Sequence, residues 1–373
     1  MRSRRTPPPN DERPVWRILI PDGDSPFALL VAQCLKRGNP SLRIDATYVD
    51  RRALARFSRY VDRTVALDPL DPFRDLELLL RNSAYDLLLP VSGPGIDFVA
   101  LHLERLAPLT HVAAIPTHEQ LTTVNDKWVF FETLQRAGIP TPFTVLVDSP
   151  TCHEAFAADE AVILKPRAGS GGLGIVKLAH AKDFALRARE FLGAGDPYIM
   201  QHYIEGRDID RSVLCGRGVV LASTVQQAAI GHHGFAPSSS LHFHKDTPVE
   251  QLVDRMMAAL NWNGIAHIDL RYAIGEDTPM VIEINPRYWA TLLGSLVAGV
   301  NFPWVHVQLA MGRRMTSNTL RECHYVGLKD WPSFYMKLGT PLSQTSLAFN
   351  LSDPLAKLMK SWRPSTAMGG ERA

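Results

Sequence analysis

Residues 281–287 read Val-Ile-Glu-Ile-Asn-Pro-Arg, and their spacing can do chemistry. Along a strand, side chains alternate between faces, so Glu283 and Asn285 project the same way. One carboxylate and one amide oxygen aimed at a common point suit Mg²⁺, which is held by one or two carboxylates together with nucleotide phosphates. Arg287 sets a guanidinium next to them. The same pattern also fits the polar face of an edge strand. Whether the metal reading stands depends on the rest of the chain supplying a nucleotide.

Upstream, Ile163-Leu164-Lys165-Pro166 sets a lysine at the end of an apolar strand. The loop that follows contains Gly169, Ser170, Gly171, Gly172 and Gly174. Glycines let a backbone approach a ligand closely and turn several N–H groups toward it. Point charge from Lys165 and a donor cradle from the loop suit a triphosphate. No G-K-[ST] sequence ends the loop, so it is not a Walker loop. Residues 198–208 run as a strand into a linker through Gln201, His202, Tyr203 and Ile204. Exposed backbone groups there can read an adenine edge, and Asp208 can accept from ribose hydroxyls. Lys127 stands where a helix begins, capped by Asn125 or Asp126; taken alone, it reads as a solvated lysine.

In Ala266-His267-Ile268-Asp269-Leu270-Arg271-Tyr272, the polar residues His267, Asp269 and Arg271 share one face. A buried acid is costly unless paired or bound to a metal. Asp269 reaches the face of Glu283 and Asn285 only if the hairpin loop holds an odd number of residues, or if a bulge intervenes. A five-residue loop over 275–279 places Asp269 opposite Asn285. His232, His233, His242 and His244 fit a loop over an acceptor substrate better than a zinc site. Trp289 is expected to wall the site near Arg287.

These residues need elements to position them. Strands are expected over 15–21, 42–50, 64–67, 86–91 and 112–115, with helices over 24–37, 51–59, 71–82 and 97–106. Alternation of this kind argues for a parallel, doubly wound sheet. Ser92-Gly93-Pro94-Gly95 then lies at a strand's C-terminal end, where ligands of such sheets bind. The turn at Asp22-Gly23 lacks the G-x-G-x-x-G spacing of a dinucleotide site. Residues 116–138 read as helical. Gly138-Ile139-Pro140-Thr141-Pro142 ends that pattern, because glycine fits a helix end and the prolines fix a rigid exit. From 143 the chain turns to short strands and glycine turns, and beyond 321 the signals weaken.

The 373 residues are 46% hydrophobic and 21% charged, with a formal net charge of +2. That balance gives no argument for nucleic acid or an acidic membrane as partner. Cys34, Cys152, Cys215 and Cys323 are scattered and fit reduced thiols in a cytoplasm. No apolar run reaches the ~18 residues of a membrane span. Residues 1–14 lack the apolar core of a signal peptide and are expected to form a disordered tail.

Taken in order, N-D-K, G-I-P-T-P, L-K-P with its glycine loop, Q-H-Y-I-E-G-x-D, I-D-L-R and E-I-N-P-R resemble the ATP-grasp superfamily, most of all its carboxylate–amine ligase branch. The resemblance covers roughly residues 15–312. It implies an α/β fold: an N-terminal parallel doubly wound (pre-ATP-grasp) domain over 15–115, then a two-lobed α+β ATP-grasp domain over 116–315. The small lobe would take about 140–202, the large lobe about 203–315, and 316–373 would be a weakly structured extension.

The resemblance also implies roles. Lys127 would contact the ATP α-phosphate, and Lys165 the α- and β-phosphates. Residues 169–174 would close over the triphosphate. Gln201, His202, Tyr203 and Ile204 would hold adenine, mainly through backbone groups, and Asp208 the ribose. Asp269, Glu283 and Asn285 would coordinate two Mg²⁺, or Mn²⁺ in their place. Arg287 would stabilise the transferred phosphoryl group. Gln201 and Asp208 depart from the glutamates common at those positions. The implied activity is ATP-dependent coupling of a small-molecule or peptide carboxylate to an amine through an acyl phosphate, in a cytoplasmic protein that can form a homodimer. Alternatives are a carboxylase or thiol ligase of the same chemistry, or a regulatory module that binds ATP without turnover.

Overall fold

A computed structural model describes residues 15–169, 171–193, 195–229, 238, 240–316 and 319–361. Ser170, His232, His233 and the expected tail over 1–14 lie outside the described residues.

The N-terminal part is built on β1 (Arg17–Ile20), β2 (Arg43–Tyr48), β3 (Arg63–Ala66), β4 (Leu87–Leu88) and β5 (His111–Val112). They form one sheet in the order β3-β2-β1-β4-β5, and all four pairings are parallel. Helices α1 (Pro26–Gly38), α2 (Pro72–Asn82), α3 (Gly93–Leu101) and α4 (Leu103–Leu106) make the crossovers. The expected doubly wound sheet is therefore present.

Two local expectations are corrected. Residues 51–59 form a single 3₁₀ turn, Leu54–Phe57, instead of a helix. Asp24 accepts from the amides of Val49 and Asp50, and Asp50 from that of Arg52, which fixes the chain in a turn just before this segment. In addition, the helix expected over 97–106 begins earlier, at Gly93, and breaks into two at His102. Ser92 caps α3 by accepting from Gly95 N at 3.1 Å, and Pro94 sits in the first turn, where its missing N–H costs nothing.

Helices α5 (His118–Asn125) and α6 (Lys127–Arg136) lead into a sheet of β6 (Thr144–Leu146), β7 (Val162–Pro166), β8 (Val176–Leu178) and β9 (Tyr198–His202), ordered β6-β9-β7-β8. Helix α7 (Phe184–Leu192) covers it, and Phe184, Phe191, Leu164 and Met200 belong to a separate apolar cluster. Next comes a larger sheet, with β10 (Gly206–Gly216), β11 (Val219–Ala228), β12 (Leu241–His244), helix α8 (Thr247–Ala259), β13 (Gly264–Ala273) and β14 (Pro279–Asn285). Ile209, Val213, Ile268 and Ile284 pack with Val253 and Met256 of α8 on one face. The opposite face carries Asp210, Ser212, His267, Asp269, Glu283 and Asn285. Alternation along three strands thus makes one dry face and one polar face.

Helices α9 (Leu292–Val297) and α10 (Phe302–Ala310) join the core of the N-terminal sheet. The segment with weak sequence signals then adds β15 (Cys323–Tyr325), paired antiparallel with β12 and so completing the sheet order β14-β13-β10-β11-β12-β15. Helices α11 (Trp331–Leu338), α12 (Ser346–Ser352) and α13 (Pro354–Ser361) follow. The chain returns to its beginning there: Gln33 Nε2 donates to Phe349 O at 3.2 Å, and Ser58 Oγ to Asp353 at 2.5 Å. No helix among the described residues is long and apolar enough to cross a membrane, and the four cysteines are free.

Gly264 opens β13 at φ +88°, and a Cβ there would lie 2.3 Å from Ala114 O. Both the left-handed backbone and the close approach exclude a side chain. Gly264→Ala is expected to lower stability by roughly 1–3 kcal/mol, read as a reduced urea midpoint.

Candidate active site

The connection between β13 and β14 decides whether the acids meet. The last hairpin pair is Tyr272 with Pro279, so the connection 273–278 is even, not the odd loop expected over 275–279. Continued without change, that register would set Asp269 against Ile282 and turn Glu283 to the other face. The register shifts between Leu270, which faces Val281, and Asp269, which faces Glu283. Ile282 is the extra residue of this bulge. Asp269 therefore stands opposite Glu283, and His267 opposite Asn285, instead of Asp269 opposite Asn285. The bulge also lets Val281 and Ile284, three residues apart, both reach the apolar cluster.

Asn285 Nδ2 lies 3.4 Å from Asp269 Oδ2, and Asn285 Oδ1 accepts from Arg287 Nη2 at 3.0 Å. Arg287 also donates to Tyr288 O at 3.0 Å and stacks 4.9 Å over the Phe27 ring of α1. Tyr288 N donates to Val91 O at 3.3 Å. The N-terminal sheet thus anchors the end of β14 and orients the guanidinium.

Lys165 comes from β7 and is buried, with Nζ donating to Gln201 Oε1 at 2.9 Å. Gln201 in turn donates to Thr144 Oγ1 at 2.9 Å. Burial lowers the Lys165 pKa to about 8, against the raising effect of the Glu283 charge. Lys127 is the first residue of α6, which Asp126 caps by accepting from Trp128 N and Val129 N. Arg167 binds the same carboxylate, with Nη2 at 2.7 Å, so helix start and glycine loop are tied together. Lys127 Nζ reaches Gly169 O at 2.5 Å. Gly169, Gly171, Gly172 and Gly174 all have positive φ, between 71° and 97°, which explains the glycines.

One cleft of about 550 Å³ collects Lys127, Lys165, Gly169, Gln201, Glu283, Asn285 and Arg287, with Thr141, Ile199 and Ile282. It also takes Gly93, Pro94 and Asp97 from the start of α3. The N-terminal domain therefore reaches the cleft at the end of its sheet. Asp208, Asp269, His202, Tyr203 and Ile204 are not among its lining residues. Asp208 is two-thirds exposed and pairs with Arg271 Nε at 3.4 Å. The backbone amides of His202 and Tyr203 donate to Phe143 O and Ala161 O. Trp289 is buried, stacked 5.6 Å from the His267 ring.

His242 and His244 share one face of β12, and β15 brings His324 opposite His242 with the rings 4.6 Å apart. This face is opposite the one carrying Asp210 and Gln226, so these histidines do not adjoin the cleft's acids. They line a separate hollow with Lys245 and Glu322.

Asp210 was not picked out from sequence, although it lies two residues beyond Asp208 and so on the same strand face. The β10–β13 register sets it directly opposite Asp269. Burial raises Asp210 to about 7, and burial together with the Asp210 and Glu283 charges raises Asp269 well above the usual carboxylate range. The donor set, two acids and an amide oxygen at the end of the β13–β14 pair, fits a hard divalent cation facing nucleotide phosphates.

Gln201→Leu would remove the partner of a buried ammonium. It is expected to cost about 1–3 kcal/mol, measured by denaturant unfolding, while Gln201→Glu keeps the partner and raises the Lys165 pKa.

Residues 124–291 match a family model described as ATP-grasp domain. The carbamoyl phosphate synthase large chain of Thermoanaerobacter sp. is 25% identical over 166 residues, 41% of this chain and 15% of that one. This chain thus spans less than a fifth of that relative. A probable alpha-L-glutamate ligase of Coxiella burnetii is 26% identical over 213 residues, 54% of this chain and 68% of the relative. Among solved structures, N5-carboxyaminoimidazole synthetase from Staphylococcus aureus complexed with ADP superposes with a TM-score of 0.66 at 14% identity, covering 89% of each chain. Residues 124–291 thus match an ATP-grasp domain, and the fold over most of the chain is similar to that of the Staphylococcus aureus structure.

Proposed function

We propose that this protein is an ATP-dependent carboxylate–amine ligase. The observation that carries the reading is the single cleft into which Lys127 and Lys165 face Glu283, Asn285 and Arg287. Two cations on one side and metal-ligand oxygens with a guanidinium on the other suit a triphosphate whose terminal phosphoryl group is transferred. That chemistry needs positioning and charge neutralisation, with no covalent nucleophile on the protein.

In this reading Lys127 meets the α-phosphate and Lys165 the α- and β-phosphates. The loop over 169–174 covers them, its turn set by left-handed glycines. Gln201 keeps the buried Lys165 ammonium oriented. Ile204 and the carbonyls of the 201–204 linker meet adenine, since two of the linker's amides are engaged elsewhere. Asp208 takes the ribose by exchanging its pairing with Arg271. Asp269, Glu283 and Asn285 hold Mg²⁺, which supplies charge neutralisation between the phosphates. A substrate carboxylate oxygen attacks the γ-phosphorus, ADP leaves, and Arg287 stabilises the charge on the transferred group. The amine then attacks the acyl carbon, a C–N bond forms and phosphate departs. The similarity to a probable alpha-L-glutamate ligase of Coxiella burnetii supports an amino acid as one substrate class.

The test is ADP release from Mg-ATP with a panel of amino acids, small carboxylates and bicarbonate, each with and without an amine. Release that needs both partners, with a coupled product by mass, is the expected result. Nucleotide binding without turnover for any pair would favour a regulatory module. Arg287→Ala is expected to lower kcat by about 10²–10³ with nucleotide affinity retained.

Lys165 also sets a pH dependence. Its ammonium is present below its pKa of about 8 and lost above it. Nucleotide affinity is therefore expected to be highest below pH 8 and to fall toward pH 9, as titration calorimetry would read. Lys165→Arg keeps its charge across this range and should flatten the profile.

A further inference from the structure

We propose that Asp210, His267 and Asp269 form a second divalent-cation site, beside the position flanked by Glu283 and Asn285, which takes an imidazole-accepting ion such as Mn²⁺ in preference to Mg²⁺. The site stands on its own geometry and does not depend on the ligase reading.

One ligand atom from each of the three residues lies within 4.8 Å of the others. His267 Nε2 is 3.4 Å from Asp269 Oδ1 and 4.0 Å from Asp210 Oδ2. Ligands about 2.0–2.2 Å from a shared metal lie roughly 3–4 Å apart, so a small closure completes the set. The imidazole is oriented from behind. Ser212 Oγ sits 2.9 Å from Nδ1, and the ring stacks on Trp289 at 5.6 Å with 14° between planes. That leaves Nε2 as the nitrogen facing the two carboxylates. Hydrogen bonding of the distal nitrogen is how proteins fix metal-binding histidines. Asp210 is held likewise: Gln226 Nε2 donates to its Oδ2 at 3.1 Å, and Gln226 is itself tied to Thr291 Oγ1.

The backbone register brings the two carboxylates of the site together. Asp210 is the direct cross-strand partner of Asp269. Like charges directly opposite destabilise a sheet, and a cation between them removes that cost. Asp269 has one oxygen for each side. Its Oδ2 faces Asn285 at 3.4 Å, while its Oδ1 faces His267. The position toward Glu283 offers carboxylate oxygen, which suits Mg²⁺, and no imidazole; Asn285 there turns its Nδ2 to Asp269 and its Oδ1 to Arg287. The position toward His267 offers one nitrogen and two oxygens, a set that favours Mn²⁺ or a later first-row ion.

The experiment is pulsed electron paramagnetic resonance on the full chain with Mn²⁺ and no nucleotide. A ¹⁴N coupling from directly bound imidazole is expected in the wild type and in Glu283→Gln. His267→Gln should abolish the coupling and weaken Mn²⁺ binding by about 10- to 100-fold, and Asp210→Asn should weaken it as well. Mn²⁺ bound without ¹⁴N coupling, or no binding in the absence of nucleotide, would overturn the proposal. So would loss of the coupling in a folded Glu283→Gln protein, since the ion would then belong to the neighbouring position. The wild-type spectrum decides even if a variant does not fold. Nucleotide affinity, measured separately, distinguishes failure of this site from failure of the ligase reading.

Discussion

A single inserted residue in β14 holds the polar face together. Side chains on a strand alternate with a period of two, so hairpin parity decides which face each one takes. The even connection 273–278 would by itself send Glu283 and Asn285 into the apolar layer beneath α8 and leave Asp269 without them. Ile282 absorbs one residue and reverses the parity beyond it. Burying two polar groups among Val253, Met256 and Ile268 would be costly. The packing of Val281 and Ile284 under the sheet and the assembly of acids above it are therefore one constraint, met by one bulge. Bulges next to active sites commonly re-aim a side chain in this way.

The rest of the cleft follows from elements converging on that strand end. The N-terminal sheet contributes little chemistry but fixes position: Val91 O takes the Tyr288 amide, and Phe27 lies under the Arg287 guanidinium. The small lobe has its own apolar cluster and brings Lys165 on the end of β7. Lys165 is oriented in the cleft by the hydrogen bond it donates to Gln201 Oε1, and Gln201 is held by Thr144. Burial, opposed by the Glu283 charge and reinforced by Lys127, accounts for a lysine close to half-protonated near pH 8.

Much of this was legible in order along the chain. The alternation of apolar strands with helices gave the parallel sheet, and the glycine loop after Lys165 was recognisable because few other residues tolerate left-handed φ at four nearby positions. The shared face of Glu283 and Asn285 followed from spacing alone. Less legible were features fixed between segments. Residues 51–59 looked helical, yet they form only the turn Leu54–Phe57. The Ser92 cap starts α3 at Gly93, four residues before the expected start at 97. Beyond 321, weak periodicity concealed β15, whose place depends on pairing with β12 from a distant part of the chain.

The amino-acid sequence by itself determined which side chains carry the chemistry and which local backbone they need: Lys165 at a strand end, left-handed glycines after it, Glu283 and Asn285 in phase. These are local properties, set by alternation, propensity and steric limits within a few residues. Only the tertiary structure decided the relations between strands. Asp269 meets Glu283 because of a bulge, Asp210 meets Asp269 because β10 pairs with β13, and β12's histidines face away from the acids. Register is settled by the packing of both sheet faces at once, and no single strand contains that information.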